Sequence, residues 1–122
     1  MDSVYELFRN GTRLLEDGDH HAAVIPLRRA RDLEPDKDSI REALGRALFG
    51  SARYREAADE FRAVADHAPT NDYALFCLGR ALQLMGRHAE ARAPLTQAAL
   101  LRPERADYRR YREQAVRRAD AA

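Results

Sequence analysis

The stretch that decides the fold is residues 44–69, LGRALFGSARYREAADEFRAVADHAP. Two apolar patterns at helical spacing pass through it, and they predict a first helix near 38–50 and a second near 54–67. The small pair Ser51-Ala52 separates the two patterns, and Pro69 prevents the second helix from continuing. The stretch therefore predicts a helical hairpin.

The hairpin recurs, because residues of one type return every 34 positions along the chain. The series are Pro35, Pro69 and Pro103; Gly11, Gly45 and Gly79; Leu14, Leu48 and Leu82; Ala23, Ala57 and Ala91; Leu27, Phe61 and Leu95; and the turn residues Gly18, Ala52 and Gly86. A single hairpin cannot bury its apolar face, so neighbouring hairpins must stack into one core. We predict three repeats over 4–37, 38–71 and 72–105, and a helix over 106–120 that caps the last repeat.

The spacing also predicts how the two helices of a repeat meet. The glycine of the first helix leaves room for a second backbone, and Phe61 or its leucine equivalents fills the gap. Helix starts are predicted from capping residues: Ser3 for the opening helix, and Asp36 and Thr70, each directly after a proline, for the first helices of the later repeats.

This pattern resembles the tetratricopeptide repeat, a family of 34-residue helix–turn–helix units, over residues 4–105. The middle repeat carries the resemblance best, with Leu44-Gly45, Leu48, Tyr54, Ala57, Phe61, Val64 and Pro69. Arg41 and Asn10 stand where the family has large apolar residues, and looser packing is expected there. The resemblance implies an all-α, right-handed superhelical solenoid with its first helices on the concave face, and a protein–protein interaction function without a cofactor.

Composition narrows the class of protein. The 122 residues include 21 basic and 20 acidic side chains, so no global field draws the protein onto nucleic acid or a membrane. The single cysteine, Cys77, excludes an internal disulfide and fits a reducing compartment. Without a secretory signal or a long apolar run, a cytoplasmic protein is expected. No histidine, cysteine or carboxylate cluster has catalytic or metal-ligand spacing, so we predict no enzyme activity and no metal site.

A second stripe of the first helices predicts the binding surface. Repeat positions two, five, nine and twelve lie roughly 120° from the core stripe, at 100° per residue. They carry aromatic and arginine side chains, which are enriched at binding hot spots. The predicted partner-binding residues are Tyr5, Phe8, Thr12, Glu42, Arg46, Phe49, Tyr73, Phe76, Arg80, Gln83, Arg110, Tyr111 and Gln114.

Such a stripe would bind an extended peptide or a partner helix that is acidic and carries apolar anchors. Packing between adjacent first helices is the alternative role for these side chains, and it is equally favoured for Phe49 and Leu15. Some members of the family clamp the terminal carboxylate of chaperones with lysine and asparagine. The matching positions here are Phe8, Thr12, Ala43, Tyr73 and Cys77, so this clamp is absent.

Two other functions stay open at this stage. Residues 102–118 carry seven arginines against three acids, with Tyr108 and Tyr111 between them, a mixture that could contact nucleic acid. A solvated cap helix is the commoner meaning of such a run. The open end of the stack, or the aromatic stripe, could instead be buried in a homodimer.

Overall fold

A computed structural model of the chain describes residues 2–121. Its helices are α1 (Val4–Glu16), α2 (His20–Leu33), α3 (Asp38–Gly50), α4 (Tyr54–His67), α5 (Asp72–Leu84), α6 (His88–Leu101) and α7 (Ala106–Ala121). Each helix packs on the next in sequence, and contacts of α1 with α3 and of α5 with α7 bring first helices side by side. A main core runs through the stack of hairpins, and Leu7, Ala30 and Ile40 form a smaller buried cluster at the first repeat. Among residues 2–121, no helix is long and apolar enough to cross a membrane.

Helices approach each other closely at the repeating glycines. A Cβ atom built on Gly45 would lie 2.8 Å from the Phe61 ring, inside van der Waals contact. Cβ atoms on Gly11 and Gly79 would lie 2.3 and 2.4 Å from the side chains of their partner leucines. The predicted pairing of glycine with a large apolar residue is therefore confirmed, and it fixes the distance between the two helices of each repeat.

The turn inside each hairpin uses a left-handed backbone. Gly18 has φ +79°, Gly86 has φ +77°, and Ala52 has φ +61° at the equivalent position. Glycine adopts this conformation without cost, whereas a Cβ atom is strained there by about 1–2 kcal/mol. Ala52 is thus a strained position that the other two repeats avoid.

The turn between repeats corrects the predicted N-caps. The Lys37 and Asn71 amides donate to carbonyls three residues earlier, at 3.3 and 3.0 Å, so each proline opens a four-residue turn. That turn occupies Asp36 and Thr70, so the N-cap lies one residue later than predicted, while the helices begin at residues 38 and 72 as expected. The actual N-caps are Lys37, which has no side-chain cap bond, and Asn71, whose side chain accepts from the Ala74 amide at 3.0 Å. Ser3 caps α1 as predicted.

Arg41 does not loosen the packing around it, contrary to the expectation from the sequence. Its guanidinium donates to Glu60 at 2.9 Å and to the Pro35 carbonyl at 2.7 Å. Glu60 is only 5% exposed and also pairs with Arg31. The buried carboxylate therefore ties α2, α3 and α4 together with two arginines.

Both ends of the row of first helices are polar. In α7, Tyr108 and Ala115 are fully buried, but Glu113 stands exposed at the position that glycine holds in the earlier repeats. A second helix could not pack closely there. At the other end, α1 places the exposed charges of Arg9 and Arg13 where α3 has buried alanines. These side chains place charge at both ends of the row formed by α1, α3, α5 and α7.

Candidate interaction groove

Helices α3, α5 and α7, with the first residue of α2, enclose an open groove of about 450 Å³. Such a volume falls within the range of ligand pockets. Seven predicted binding residues line it: Arg46, Phe49, Tyr73, Phe76, Arg80, Arg110 and Tyr111. The other lining residues are His20, Gly50, Phe61, Cys77 and Asp107. The geometry thus brings the aromatic and arginine residues of the later first helices to one place.

Aromatic rings form the walls of this groove and also hold its helices together. Phe76 stacks on Tyr108 with 4.5 Å between ring centroids and lies 5.7 Å from Tyr111. Tyr108 is fully buried, and its hydroxyl donates to Asp72 at 2.7 Å. Tyr73 meets Phe61 edge to face at 6.3 Å. Phe76 therefore serves the fold by anchoring α7 on α5, in addition to lining the groove.

The three arginines of the groove lack acidic partners. Among residues 2–121, Arg46, Arg80 and Arg110 form no ion pair. The acid that lines the groove, Asp107, is bound by Arg105 at 2.8 Å, and this hydrogen bond lowers the pKa of its carboxyl. Asp107 is thereby neutralised by a charge outside the groove, so the lining keeps a net positive charge.

The Arg80 side chain is held in place. Its guanidinium carbon lies 3.9 Å from the centroid of the Tyr111 ring, a cation–π contact, and its Nη1 donates to the Gln83 side chain at 2.8 Å. Gln83 in turn donates to the backbone carbonyl of Tyr111 at 2.9 Å. The Arg110 guanidinium lies over the same ring at 5.1 Å. One tyrosine therefore gathers two guanidinium groups.

The neutral side of the groove is formed by Tyr73 and Cys77. Burial raises the pKa of Cys77 to about 12, and burial, followed by the neighbouring thiol, raises the pKa of Tyr73 above its usual value. Both groups stay protonated near neutral pH. A protonated thiol is a poor nucleophile, so Cys77 acts as part of an apolar wall.

The remaining predicted residues do not line this groove. Tyr5, 69% exposed, and Phe8 border a separate pocket of about 270 Å³ between α1 and the start of α3. The Thr12 hydroxyl donates to the Phe8 carbonyl of its own helix at 3.0 Å. Leu15, left open by the sequence, is 7% exposed and belongs to the core. The predicted stripe is thus divided, and its first-repeat portion is a second, smaller surface.

Three polar residues of the stripe take other positions. Gln83 is 8% exposed with its amide engaged by Arg80 and Tyr111, so its role is to position them. Gln114 borders a small pocket beside the groove. Glu42 lies near Tyr73 and Cys77 at the edge of the groove and accepts a long hydrogen bond of 3.5 Å from Asn71.

His20 is a groove residue that is not among the residues predicted to bind a partner. Its ring lies directly over Gly50, where a Cβ atom would approach to 2.3 Å. The first and third repeats have Glu16 and Leu84 at the position of Gly50. A glycine where the other repeats have large side chains was the signal that something packs against this position.

The arginine-rich cap helix is less suited to nucleic acid than its sequence indicated. Tyr108 is fully buried and cannot stack on a base. Arg102 pairs with Asp72 at 3.5 Å, and Arg105 pairs with Asp107. In the described part of the chain, no three histidine, cysteine or acidic residues are grouped to hold a metal ion.

Comparison with known proteins gives relatives of this fold. No family model matches the chain. Superkiller complex protein 3 of Mus musculus is 30% identical over 83 residues, which are 68% of this chain but only 5% of that protein. The chain therefore spans only a small part of that protein's length.

Solved structures match nearly the whole chain. MamA MSR-1 C2 superimposes with a TM-score of 0.89 and 24% identity, over 98% of this chain and 68% of that one. The Sgt2 TPR domain from Aspergillus fumigatus gives 0.83 and 16%, over 98% and 81%. The CopN-Scc3 complex gives 0.76 and 18%, over 93% and 66%. With its 34-residue hairpins and glycine-mediated helix contacts, the chain has the tetratricopeptide-repeat fold.

Proposed function

We propose that this protein is a protein–protein interaction module whose groove binds an acidic partner segment with apolar anchors, and that it is not an enzyme. The observation that carries the proposal is the set of three arginines, Arg46, Arg80 and Arg110, without ion-pair partners among residues 2–121 on an aromatic-lined groove.

Two interactions would supply the binding free energy. An apolar side chain that enters between Phe49, Phe76 and Tyr111 leaves water, which is worth about 25 cal/mol per Å² buried. Carboxylates of the partner accept hydrogen bonds from the guanidinium groups, and such charge-assisted bonds are stronger than neutral ones. Charge steers the segment to the groove, and the rings hold its apolar anchor.

Structural neighbours are compatible with this proposal. One of them was determined as the CopN-Scc3 complex, so a similar fold occurs in a protein assembly. The protonated state of Cys77 also supports a binding function over a catalytic one, because it removes the one thiol in the groove as a nucleophile.

The two earlier alternatives are weaker on physical grounds. A symmetric dimer through the groove would bring the same arginines of two copies together, and like charges oppose such an interface. A dimer through the end of the stack would have to bury Arg9, Arg13 or Glu113. Sedimentation at micromolar concentration tests this point: a dimer would contradict the proposal that the groove is free for a partner.

Binding can be tested with a synthetic probe. A fluorescein-labelled peptide, Glu-Glu-Phe-Glu-Leu-Glu-Glu with blocked ends, should bind with a Kd of about 1–100 μM, which corresponds to roughly 5–8 kcal/mol. The matched peptide with lysine in place of every glutamate should bind at least tenfold more weakly. Replacement of Arg46 and Arg110 by glutamine should weaken the acidic peptide at least fivefold, since both are exposed and their loss should not affect folding.

Arg62→Gln is the matched control, because Arg62 is exposed on α4, outside the groove, and forms no ion pair within residues 2–121. It removes the same charge and should leave the Kd unchanged. Equal binding of the acidic and basic peptides, no binding below 1 mM, or an effect of Arg62→Gln as large as that of the groove variant would each contradict the proposal. A Kd of 1 mM corresponds to a binding free energy of about 4 kcal/mol.

A further inference from the structure

We propose, on the basis of the proposed function, that Arg80 and Arg110 form a receptor for one doubly charged group of the partner segment, a phosphorylated side chain. The placement of both guanidinium groups over the single ring of Tyr111 carries this inference. The site is part of the groove but has a narrower chemical requirement than the groove as a whole.

Two neighbouring arginines without acidic partners favour an anionic group placed between them. Their guanidinium carbons lie 3.9 and 5.1 Å from the centroid of the same ring, so the two carbons are at most about 9 Å apart. Within residues 2–121 neither has an acidic partner, and Asp107 beside them is already bound by Arg105. A single carboxylate carries one negative charge and would leave one arginine uncompensated. Two carboxylates in the same small volume would repel each other.

A phosphorylated side chain meets this requirement with one group. It carries a charge of about −1.5 to −2 at pH 7 and three acceptor oxygens, and guanidinium forks bind phosphate through paired hydrogen bonds. Arg80 is ordered for this purpose before binding, because its Nη1 is held by Gln83 and its plane by Tyr111. Its remaining N–H groups stay free for a ligand, and little side-chain entropy is lost on binding.

The apolar part of the groove places the rest of the segment. Phe49 and Phe76 line it with Tyr73 and Cys77, both protonated near neutral pH, so this side offers contact area without charge. An apolar residue next to the phosphorylated one would enter here. The predicted ligand is therefore a phosphorylated segment with an adjacent aromatic or aliphatic side chain.

The test compares three end-blocked peptides, Glu-Glu-Phe-Xaa-Leu-Glu-Glu, in which Xaa is phosphoserine, glutamate or serine. At pH 7.5 the phosphoserine peptide should bind at least fivefold more tightly than the glutamate peptide, and the serine peptide should bind most weakly. The advantage over glutamate should shrink towards pH 5, because the second phosphate pKa is about 6 and the group then carries a single charge.

Variants that keep the charge but lose the fork separate this geometry from simple attraction. Arg110→Lys and Arg80→Lys should each reduce the phosphoserine advantage to less than twofold, while Arg62→Lys should leave it intact. Arg110 is exposed, so its variant should fold even if Arg80→Lys disturbs the contact with Gln83. Phosphoserine and glutamate peptides that bind equally tightly would overturn this inference and leave the proposed function standing. Failure of all three peptides to bind would instead contradict the proposed function itself.

Discussion

Replacement of Phe76 by alanine should loosen the cap helix and not only the groove. A fully buried phenylalanine costs about 3–5 kcal/mol when truncated to alanine, and Phe76 is half-buried, which reduces this to about 2 kcal/mol. Its stack on Tyr108, at 4.5 Å, and its contact with Tyr111 contribute about 0.5–1.5 kcal/mol beyond area for each aromatic pair. A total loss of about 3–5 kcal/mol is expected, with the effect concentrated at α7.

Urea unfolding followed by circular dichroism measures the total, and hydrogen exchange measures where it falls. In Phe76→Ala the amides of α7 should exchange faster than those of α1–α4. Phe8→Ala is the matched control, since Phe8 holds the equivalent position in the first repeat and packs on Leu7 and Ile40, away from α7. A loss below about 0.5 kcal/mol, or an equal opening of α7 in both variants, would refute the assignment of Phe76 as an anchor of the cap.

Three further predictions concern the fold. Ala52→Gly should stabilise the protein by about 0.5–1 kcal/mol in urea unfolding, because φ is +61° at this position. Gly86→Ala should destabilise the protein by about 1–2 kcal/mol, since a Cβ atom there meets no other atom and only the backbone is strained. A loss of stability in Ala52→Gly would contradict this reasoning. Glu60→Ala should cost about 2–3 kcal/mol in urea unfolding, less than breaking a fully buried pair, because Arg31 keeps its pair with Asp32 and Arg41 is partly exposed; a cost below about 0.5 kcal/mol would contradict a stabilising role of this network. The free energy of unfolding should fall as pH rises above about 9, by up to about 1.4 kcal/mol per pH unit, because the pKa of Cys77 is about 12 in the folded protein and the unfolded thiol loses its proton first. Cys77→Ala should flatten this slope between about pH 8.5 and 10. An unchanged slope would contradict the buried, protonated thiol.

The parts of the fold that could be predicted from the sequence are those that repeat. A glycine (Gly45 in the middle repeat) and a large apolar residue (Phe61 there, leucine in the other repeats) recur together every 34 residues, and one hairpin packs like the next. The left-handed turn residue recurs in the same way. One residue type at one position is weak evidence for a helical hairpin, but the same type at the same offset in three repeats is strong evidence.

Contacts that occur once could not be found in this way. Glu60 binds Arg31 and Arg41, which precede it by 29 and 19 residues and lie on two other helices. Nothing in the 34-residue period indicates that pairing. The N-cap residues after the prolines were mispredicted because the turn uses one residue more than a cap beside the proline would need. Both errors concern the exact position of single side chains, which tertiary packing decides.

The residues of the candidate groove could be predicted from the sequence only in part. Helical periodicity placed Arg46, Phe76 and Arg80 on one stripe, and the structure brings them to one groove. The division of that stripe depends on how successive first helices are offset, and no sequence pattern reports that offset. His20 reaches the groove from a second helix, so a search restricted to first helices could not include it.

Because α7 supplies both the cap and one wall of the groove, binding and stability of the last repeat should be coupled. A ligand that contacts Arg80 on α5 and Arg110 and Tyr111 on α7 holds the two helices together and binds only the folded state. At a free concentration one hundred times its Kd, such a ligand should stabilise the protein by about 2.7 kcal/mol. Hydrogen exchange with and without the acidic peptide tests the coupling, and protection should rise most in α7 and in the adjoining part of α5. Protection that rises only in α1 and α2 would place the ligand on the smaller pocket at Tyr5, and the arginine groove would then not be the binding site.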